Sequence, residues 1–171
     1  YNRPLHVFDA DKVKGDIHVR PARAGERLLA LDGREYELEE GMTVIADEAG
    51  PEALGGIIGG EHSGCTEETT DVFLEVAYFD PIRTAMTGRK LNIMTDARYR
   101  FERGVDPAFL HKAADLATQL ILELCGGEAS RIVEAGSPAV PPRDERTFTL
   151  RRDRVRTLGG IEVPFERQKE I

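Results

Sequence analysis

The stretch Ile-Ile-Gly-Gly-Glu-His-Ser-Gly, residues 57–64, brings glycines, a carboxylate, an imidazole and a hydroxyl close together. A phosphate-binding loop would need Lys and then Ser or Thr after its glycines, where Glu61 and His62 stand. A hydrolase elbow would need glycine two residues before Ser63, where Glu61 stands. Metal binding would need a further ligand at helical or turn spacing. The pattern therefore favours a tight turn, with close approach to a ligand as the alternative, because glycine permits both.

Glu75 is the second candidate for chemistry. It lies in the segment Asp-Val-Phe-Leu-Glu-Val-Ala-Tyr-Phe, residues 71–79, whose two alternating faces are otherwise apolar from Val72 onwards. A strand that is apolar on both faces is usually buried on both, so the sequence predicts a carboxylate held among apolar neighbours. The alternative is a structural ion pair with a buried arginine, Arg100 or Arg103.

Short strands and two helices would position these residues. Alternation and turn signals predict strands over residues 17–23 and 42–47, and a hairpin over 27–38 around an Asp-Gly turn. A long helix is predicted over 106–127, with a capping Asp, a first-turn Pro and a closing Gly, and a shorter helix over 81–90. We expect an α+β fold with a β-rich, sandwich-like core, one long amphipathic helix and a shorter helix.

The long helix carries an apolar stripe at helical spacing, which predicts a face packed on the core. The stripe consists of Phe109, Ala113, Leu116, Ala117, Leu120 and Leu124.

Composition excludes several classes of protein. The chain has 171 residues, and its 23 basic and 31 acidic residues give a net charge of −8, which excludes nucleic-acid binding by bulk attraction. Two cysteines are too few for a disulfide scaffold, which favours a reducing cytoplasm. No apolar run approaches the roughly 20 residues that span a bilayer. The first residue is not Met, so we expect a piece of a longer chain.

Four segments, taken together and in order, resemble a known family. They are Arg3–Arg20 (RPLHVFDADKVKGDIHVR), Thr43–Gly64 (TVIADEAGPEALGGIIGGEHSG), Glu68–Pro81 (ETTDVFLEVAYFDP) and Thr95–Pro107 (TDARYRFERGVDP). The sequence is similar here to the tRNA-editing domain of the bacterial phenylalanine–tRNA ligase β subunit. The tail from residue 147 resembles the opening of the next module of that subunit. We therefore predict an editing domain over 1–137, a proline-rich linker over 138–146, and the truncated start of a further module over 147–171.

The resemblance implies a function and partners. The family's editing domain hydrolyses tyrosine that has been attached by mistake to the phenylalanine tRNA. The parent enzyme would be a cytoplasmic complex with a ligase α subunit, an α2β2 heterotetramer. Its synthetic site would lie outside this chain and would use ATP and Mg²⁺, so no cofactor or metal is expected here. The alternatives are a non-catalytic RNA-binding or scaffold module of the same subunit, and a free-standing editing protein of the same fold.

The resemblance also implies residue roles. His6 and Glu75 match the family's catalytic positions, and Glu75 is the residue that senses the tyrosine hydroxyl. Gly59, Glu75, Thr95 and Ala97 match positions that bind the substrate. Each has a structural alternative: His6 as a hydrogen-bonded structural histidine, Gly59 as a turn residue, Thr95 as a helix cap and Ala97 as packing.

A cluster of basic residues leaves two interpretations open, which the sequence does not separate. The cluster contacts tRNA phosphates, or it pairs with acidic residues of the same chain. It consists of Arg89, Lys90, Arg98, Arg100 and Arg103.

Overall fold

The computed structural model describes residues 2–136 and 147–170. The chain divides into two compact units, Tyr1–Val140 and Pro141–Ile171. The predicted linker over 138–146 lies entirely outside the described residues, so the domain boundaries stay a prediction. In the described residues, no helix is long and apolar enough to cross a membrane.

The first unit holds eight strands among its described residues, and all their pairings are antiparallel. They form a four-stranded sheet of order β2-β5-β6-β7 and two ribbons, β1-β8 and β3-β4. Isolated bridges from Phe8 to Gly64 and from Ala30 to Gly60 link the ribbons to the chain around β7. The strands are β1 (His6–Asp9), β2 (His18–Pro21), β3 (Arg27–Leu29), β4 (Glu35–Glu37), β5 (Thr43–Ala46), β6 (Pro51–Leu54), β7 (Ile58–Gly59) and β8 (Val72–Glu75).

Three helices follow the strands, and the sequence explains where each begins. Helix α1 (Pro81–Lys90) starts after Asp80, whose carboxylate accepts from the backbone N–H of Arg83 at 2.8 Å. Helix α2 is Asp96–Phe101. Helix α3 (Leu110–Cys125) follows the 3₁₀ turn Pro107–Phe109. The predicted α+β class, the shorter helix and the long helix are confirmed.

Two clusters of buried side chains form the core of the first unit. The smaller one joins β1, β5 and β6 to the chain before α1 and to the end of α2, through Phe8, Ile45, Ala53, Phe79 and Phe101. The larger one fills the space between the four-stranded sheet and the β3–β4 ribbon. Its buried members are Ala22, Leu28, Ala30, Tyr36, Leu38, Met42, Val44, Ala46, Leu54, Ile57 and Ile93.

Two expectations about single elements are wrong. The strand predicted over 71–79 ends at Glu75, and its first residues, Val72 and Phe73, are 42% and 40% exposed. Within the described residues β8 pairs with β1 alone, and these exposures mean that the start of the ribbon is not buried on both faces.

The apolar stripe of α3 is only partly buried, which is the second departure. Ala113 near the start is 8% exposed, whereas Leu120 is 55% and Leu124 is 76% exposed. The last turns of α3 therefore lie beyond the core of the described residues, and helical periodicity alone does not show where that core ends.

The second unit contains two short helices, α4 (Arg154–Gly159) and α5 (Phe165–Lys169). Two cations lie over the Phe165 ring. The Arg152 guanidinium is 4.4 Å and the Lys169 ammonium 4.7 Å from the ring centroid.

Candidate functional site

A cavity of about 220 Å³ lies in the first unit, and four of the five predicted site residues line it. They are His6 from β1, Gly59 from β7, Glu75 from β8 and Ala97 from α2. The deepest part of the lining is apolar and almost fully buried, made of Ile45, Ala53, Leu54, Ile57 and Phe101. Since an apolar cavity of about 150 Å³ can hold benzene, this one is large enough for an aromatic side chain.

Strand pairing brings the two polar residues of the cavity together. In the antiparallel β1–β8 ribbon, His6 lies directly opposite Glu75. Residues that face each other on adjacent strands have their Cβ atoms roughly 5 Å apart and share a face of the ribbon. The register of one ribbon therefore places an imidazole and a carboxyl at the same wall.

Glu75 is a carboxyl without a partner. Among the described residues, no hydrogen bond or ion pair reaches its side chain. The side chain is partly exposed because it faces the cavity, but protein encloses the carboxyl closely, and this burial raises its pKa to about 7. At neutral pH the group is therefore poised between its charged and neutral forms.

The predicted alternative, an arginine partner for Glu75, is wrong. The Arg100 guanidinium donates to the side-chain oxygen of Asn2 at 2.6 Å and lies 3.5 Å from the carboxylate of Asp96. The Arg103 guanidinium donates to the backbone oxygen of Tyr99 at 2.8 Å and to Glu102 at 3.0 Å. Both arginines bond to other residues, which leaves the Glu75 carboxyl available to a ligand.

His6 also has an unused polar atom. Its Nε2 is buried and has no hydrogen-bond partner among the described residues. The ring packs edge-on against Phe8, with the centroids 4.4 Å apart. Burial lowers the pKa of the imidazole, because the charged form is poorly solvated there. A neutral imidazole with a free nitrogen can accept a proton from, or orient, a water molecule.

Gly59 allows the His6 ring to lie where it does. A Cβ built on Gly59 would be 2.6 Å from His6 Nε2, closer than real side chains approach, and in tight contact with Leu31 Cδ1 at 3.1 Å. Gly56, in the turn between β6 and β7 just before the stretch, has a φ of +71°, which favours glycine. Gly59 thus lies against a side chain of the protein itself, and close approach of this stretch to a ligand stays a prediction.

Thr95 does not line this cavity, and it caps helix α2, so its role in substrate binding stays a prediction. Its hydroxyl accepts from the backbone N–H of Arg98 at 3.1 Å and donates to the backbone oxygen of Ile57 at 2.6 Å. Because Ile57 and Ala97 are both cavity residues, Thr95 ties the start of α2 to the β6–β7 hairpin and holds two walls together.

Sequence reasoning missed Arg3. Its guanidinium donates to the backbone oxygens of Ala77 and Asp106, each at 2.7 Å. These bonds fix the segment that supplies Pro4 and Leu5 to the cavity wall. An arginine near the start of a chain carries no local signal of this role, because both acceptors are backbone atoms distant in sequence.

Most of the basic cluster is paired within the chain. Arg98 donates to Glu102 at 3.0 Å and to the backbone oxygen of Ile93 at 2.5 Å, and Lys90 pairs with Glu39. Within the part of the chain that the structure describes, no group of three or more His, Cys, Asp or Glu residues could hold a metal ion.

Comparisons with known proteins identify the family of this chain. Residues 1–126 match the B3/4 domain, and the chain belongs to that family. The chain is 65% identical over 169 residues to the phenylalanine–tRNA ligase beta subunit of Paramagnetospirillum magneticum, an alignment covering 99% of this chain and 21% of the relative. It is 56% identical over 168 residues to the subunit of the same name from Cereibacter sphaeroides, covering 98% and 20%. The chain therefore spans about a fifth of the length of the curated relatives it matches.

Proposed function

We propose that this chain is the editing module of a phenylalanine–tRNA ligase β subunit and hydrolyses tyrosine esterified to the phenylalanine tRNA. The observation that carries the proposal is the unpartnered Glu75 carboxyl in an apolar cavity of aromatic size. The similarity to ligase beta subunits supports the substrate and the partners: the tRNA, a ligase α subunit in an α2β2 cytoplasmic complex, and ATP with Mg²⁺ at a synthetic site outside this chain.

A second pocket, for editing, is needed because the synthetic pocket discriminates poorly between phenylalanine and tyrosine. A pocket built for phenylalanine rejects a ring that merely adds a hydroxyl by only about 100-fold. A cavity with a buried acceptor selects in the opposite sense, because the phenol donates to it and a bare ring leaves it unpaired. A hydrogen bond to a charged group contributes about 1.5–3 kcal/mol, and the lost partner adds a penalty of similar size. Glu75 is the acceptor in this proposal.

Water is the nucleophile in the proposed reaction. Among the described lining residues there is no hydroxyl, thiol or amine side chain that could form a covalent intermediate. The oxygen of a water attacks the ester carbonyl carbon while His6 Nε2 orients it or accepts its proton. The bond from the carbonyl carbon to the ribose oxygen then breaks, and the terminal hydroxyl of the tRNA leaves with a proton.

The test is a deacylation assay of the 171-residue chain with tyrosyl-tRNA and phenylalanyl-tRNA. We expect faster hydrolysis of the tyrosyl ester, and loss of most of that preference in Glu75→Ala. The exposed Glu37 on β4, outside the cavity lining, gives a matched control, and Glu37→Ala should keep the preference. Unchanged selectivity in Glu75→Ala would refute the sensor role. Binding of the charged tRNA without cleavage would favour the non-catalytic module instead.

A further inference from the structure

The cavity has a definite mouth. Its deep lining residues are almost fully buried, but two leucines that also line it are half exposed, Leu5 at 45% and Leu31 at 54%. Leu31 lies beside His6, because a Cβ built on Gly59 would contact both side chains. We call Leu5 and Leu31 the leucine lip. It stands at the same end of the cavity as the imidazole.

The Leu31 half of the leucine lip is held in place. The Leu31 N–H donates to the backbone oxygen of Gly59 at 2.9 Å, and the next residue, Asp32, accepts from the Tyr36 hydroxyl at 2.6 Å. Leu31 Cδ2 lies 3.3 Å from where a Cβ of Gly64 would be, so the side chain rests on two glycines. An exposed apolar side chain on a fixed backbone loses little freedom when it binds a ligand.

The cavity accommodates only part of the proposed substrate. Its volume of about 220 Å³ is suited to an aromatic side chain, so the rest of an aminoacyl nucleotide must lie outside. With the ring at Glu75 and the ester at His6, the terminal nucleotide extends over the leucine lip. Lys12 donates to the backbone oxygen of Gly64 at 2.8 Å and is paired with Asp9 at 3.4 Å. Lys12 is therefore engaged within the chain, and the two leucines offer apolar contact.

We propose that the leucine lip is a nucleotide subsite that packs against the terminal base of the tRNA and holds the ester at His6. This inference rests on the proposed function and adds a second recognition element to it. Apolar contact suits the flat face of a base, because packing the base against the two leucines removes apolar surface of both from water. Leu31, on the His6 side of the mouth, carries most of the contact.

The test measures binding, so it does not depend on turnover. Two stable compounds are compared by calorimetry with the 171-residue chain: tyrosinamide, and the amide in which tyrosine is joined to 3′-amino-3′-deoxyadenosine. We expect the adenosine compound to bind about tenfold more tightly, because its base removes apolar surface of the two leucines from water. Leu31→Ser should reduce this difference in Kd between the two compounds to about twofold, and Leu5→Ser should reduce it in part.

A matched control is available two residues away. Leu29 is 49% exposed but does not line the cavity, so Leu29→Ser should keep the full difference in Kd. The subsite would be overturned if the two compounds still differed tenfold in Kd with Leu31→Ser. It would also be overturned if they bound equally well to the unmodified chain. If Glu75→Ala binds both compounds as well as the unmodified chain while Leu31→Ser reduces the difference in Kd, the subsite stands and the proposed sensor role falls. Failure of both compounds to bind would overturn both proposals.

Discussion

The raised pKa of Glu75 predicts that this residue makes folding less favourable as the pH rises. Its pKa is about 7 in the folded chain against an ordinary value of 4.5. A carboxyl whose folded pKa is raised binds more protons in the folded state between these two values. The free energy of unfolding therefore falls as the pH increases through this window. A gap of about 2.5 pH units, at about 1.4 kcal/mol per unit, corresponds to about 3 kcal/mol above pH 7.

The variant Glu75→Gln isolates this effect, because it keeps the shape of the side chain and cannot ionise. We expect it to match the unmodified chain near pH 4.5 and to exceed it by about 3 kcal/mol at pH 8. Urea denaturation at pH 4.5, 6, 7 and 8, followed by circular dichroism, measures the difference. Glu37→Gln is the surface control and should show no such divergence. Parallel stability profiles for Glu75→Gln and the unmodified chain would refute the reasoning, since they would mean that the carboxyl is well solvated.

The remaining predictions concern the cavity walls. Gly59→Ala forces the His6 ring aside, so we expect at least tenfold slower tyrosyl-tRNA hydrolysis and a loss of about 1–3 kcal/mol in urea denaturation; an unchanged rate would contradict the close contact. Thr95→Val removes a helix cap and a buried bond and should cost about 1–2 kcal/mol, with Thr95→Ser near normal; equal stability of the two variants would count against this role. Arg3→Met removes two hydrogen bonds to backbone carbonyls and should cost about 1–3 kcal/mol in urea denaturation, whereas Arg3→Lys should keep most of the stability if the charge alone matters; unchanged stability of Arg3→Met would contradict this role.

Local features of the fold could be predicted from the sequence. The Asp32-Gly33 turn between β3 and β4, the Asp80 cap of α1 and the Gly126 that ends α3 depend on residues that are close in the chain, so short patterns identify them. Burial could not be read in the same way. The end of α3 and the start of β8 are apolar yet exposed, because local periodicity does not indicate which layers are present.

The residues of the candidate site likewise include some that the sequence identified and others whose contacts it did not reveal. The apolar setting of Glu75 was visible in its own strand, and the family resemblance supplied His6, Gly59 and Ala97, which line the same cavity. Distant contacts were not visible. Thr95 reaches a carbonyl 38 residues away, and Arg3 reaches acceptors 74 and 103 residues away.

The direct pairing of His6 with Glu75 has a consequence for how such a site can fail. Because side chains alternate along a strand, a slip of β1 by one residue would turn one of the two away from the cavity. Under the proposed roles, the residue that recognises the wrong amino acid and the residue that helps to remove it would then no longer face the same substrate. A damaged ribbon would leave mischarged tRNA untouched rather than destroy the correct product.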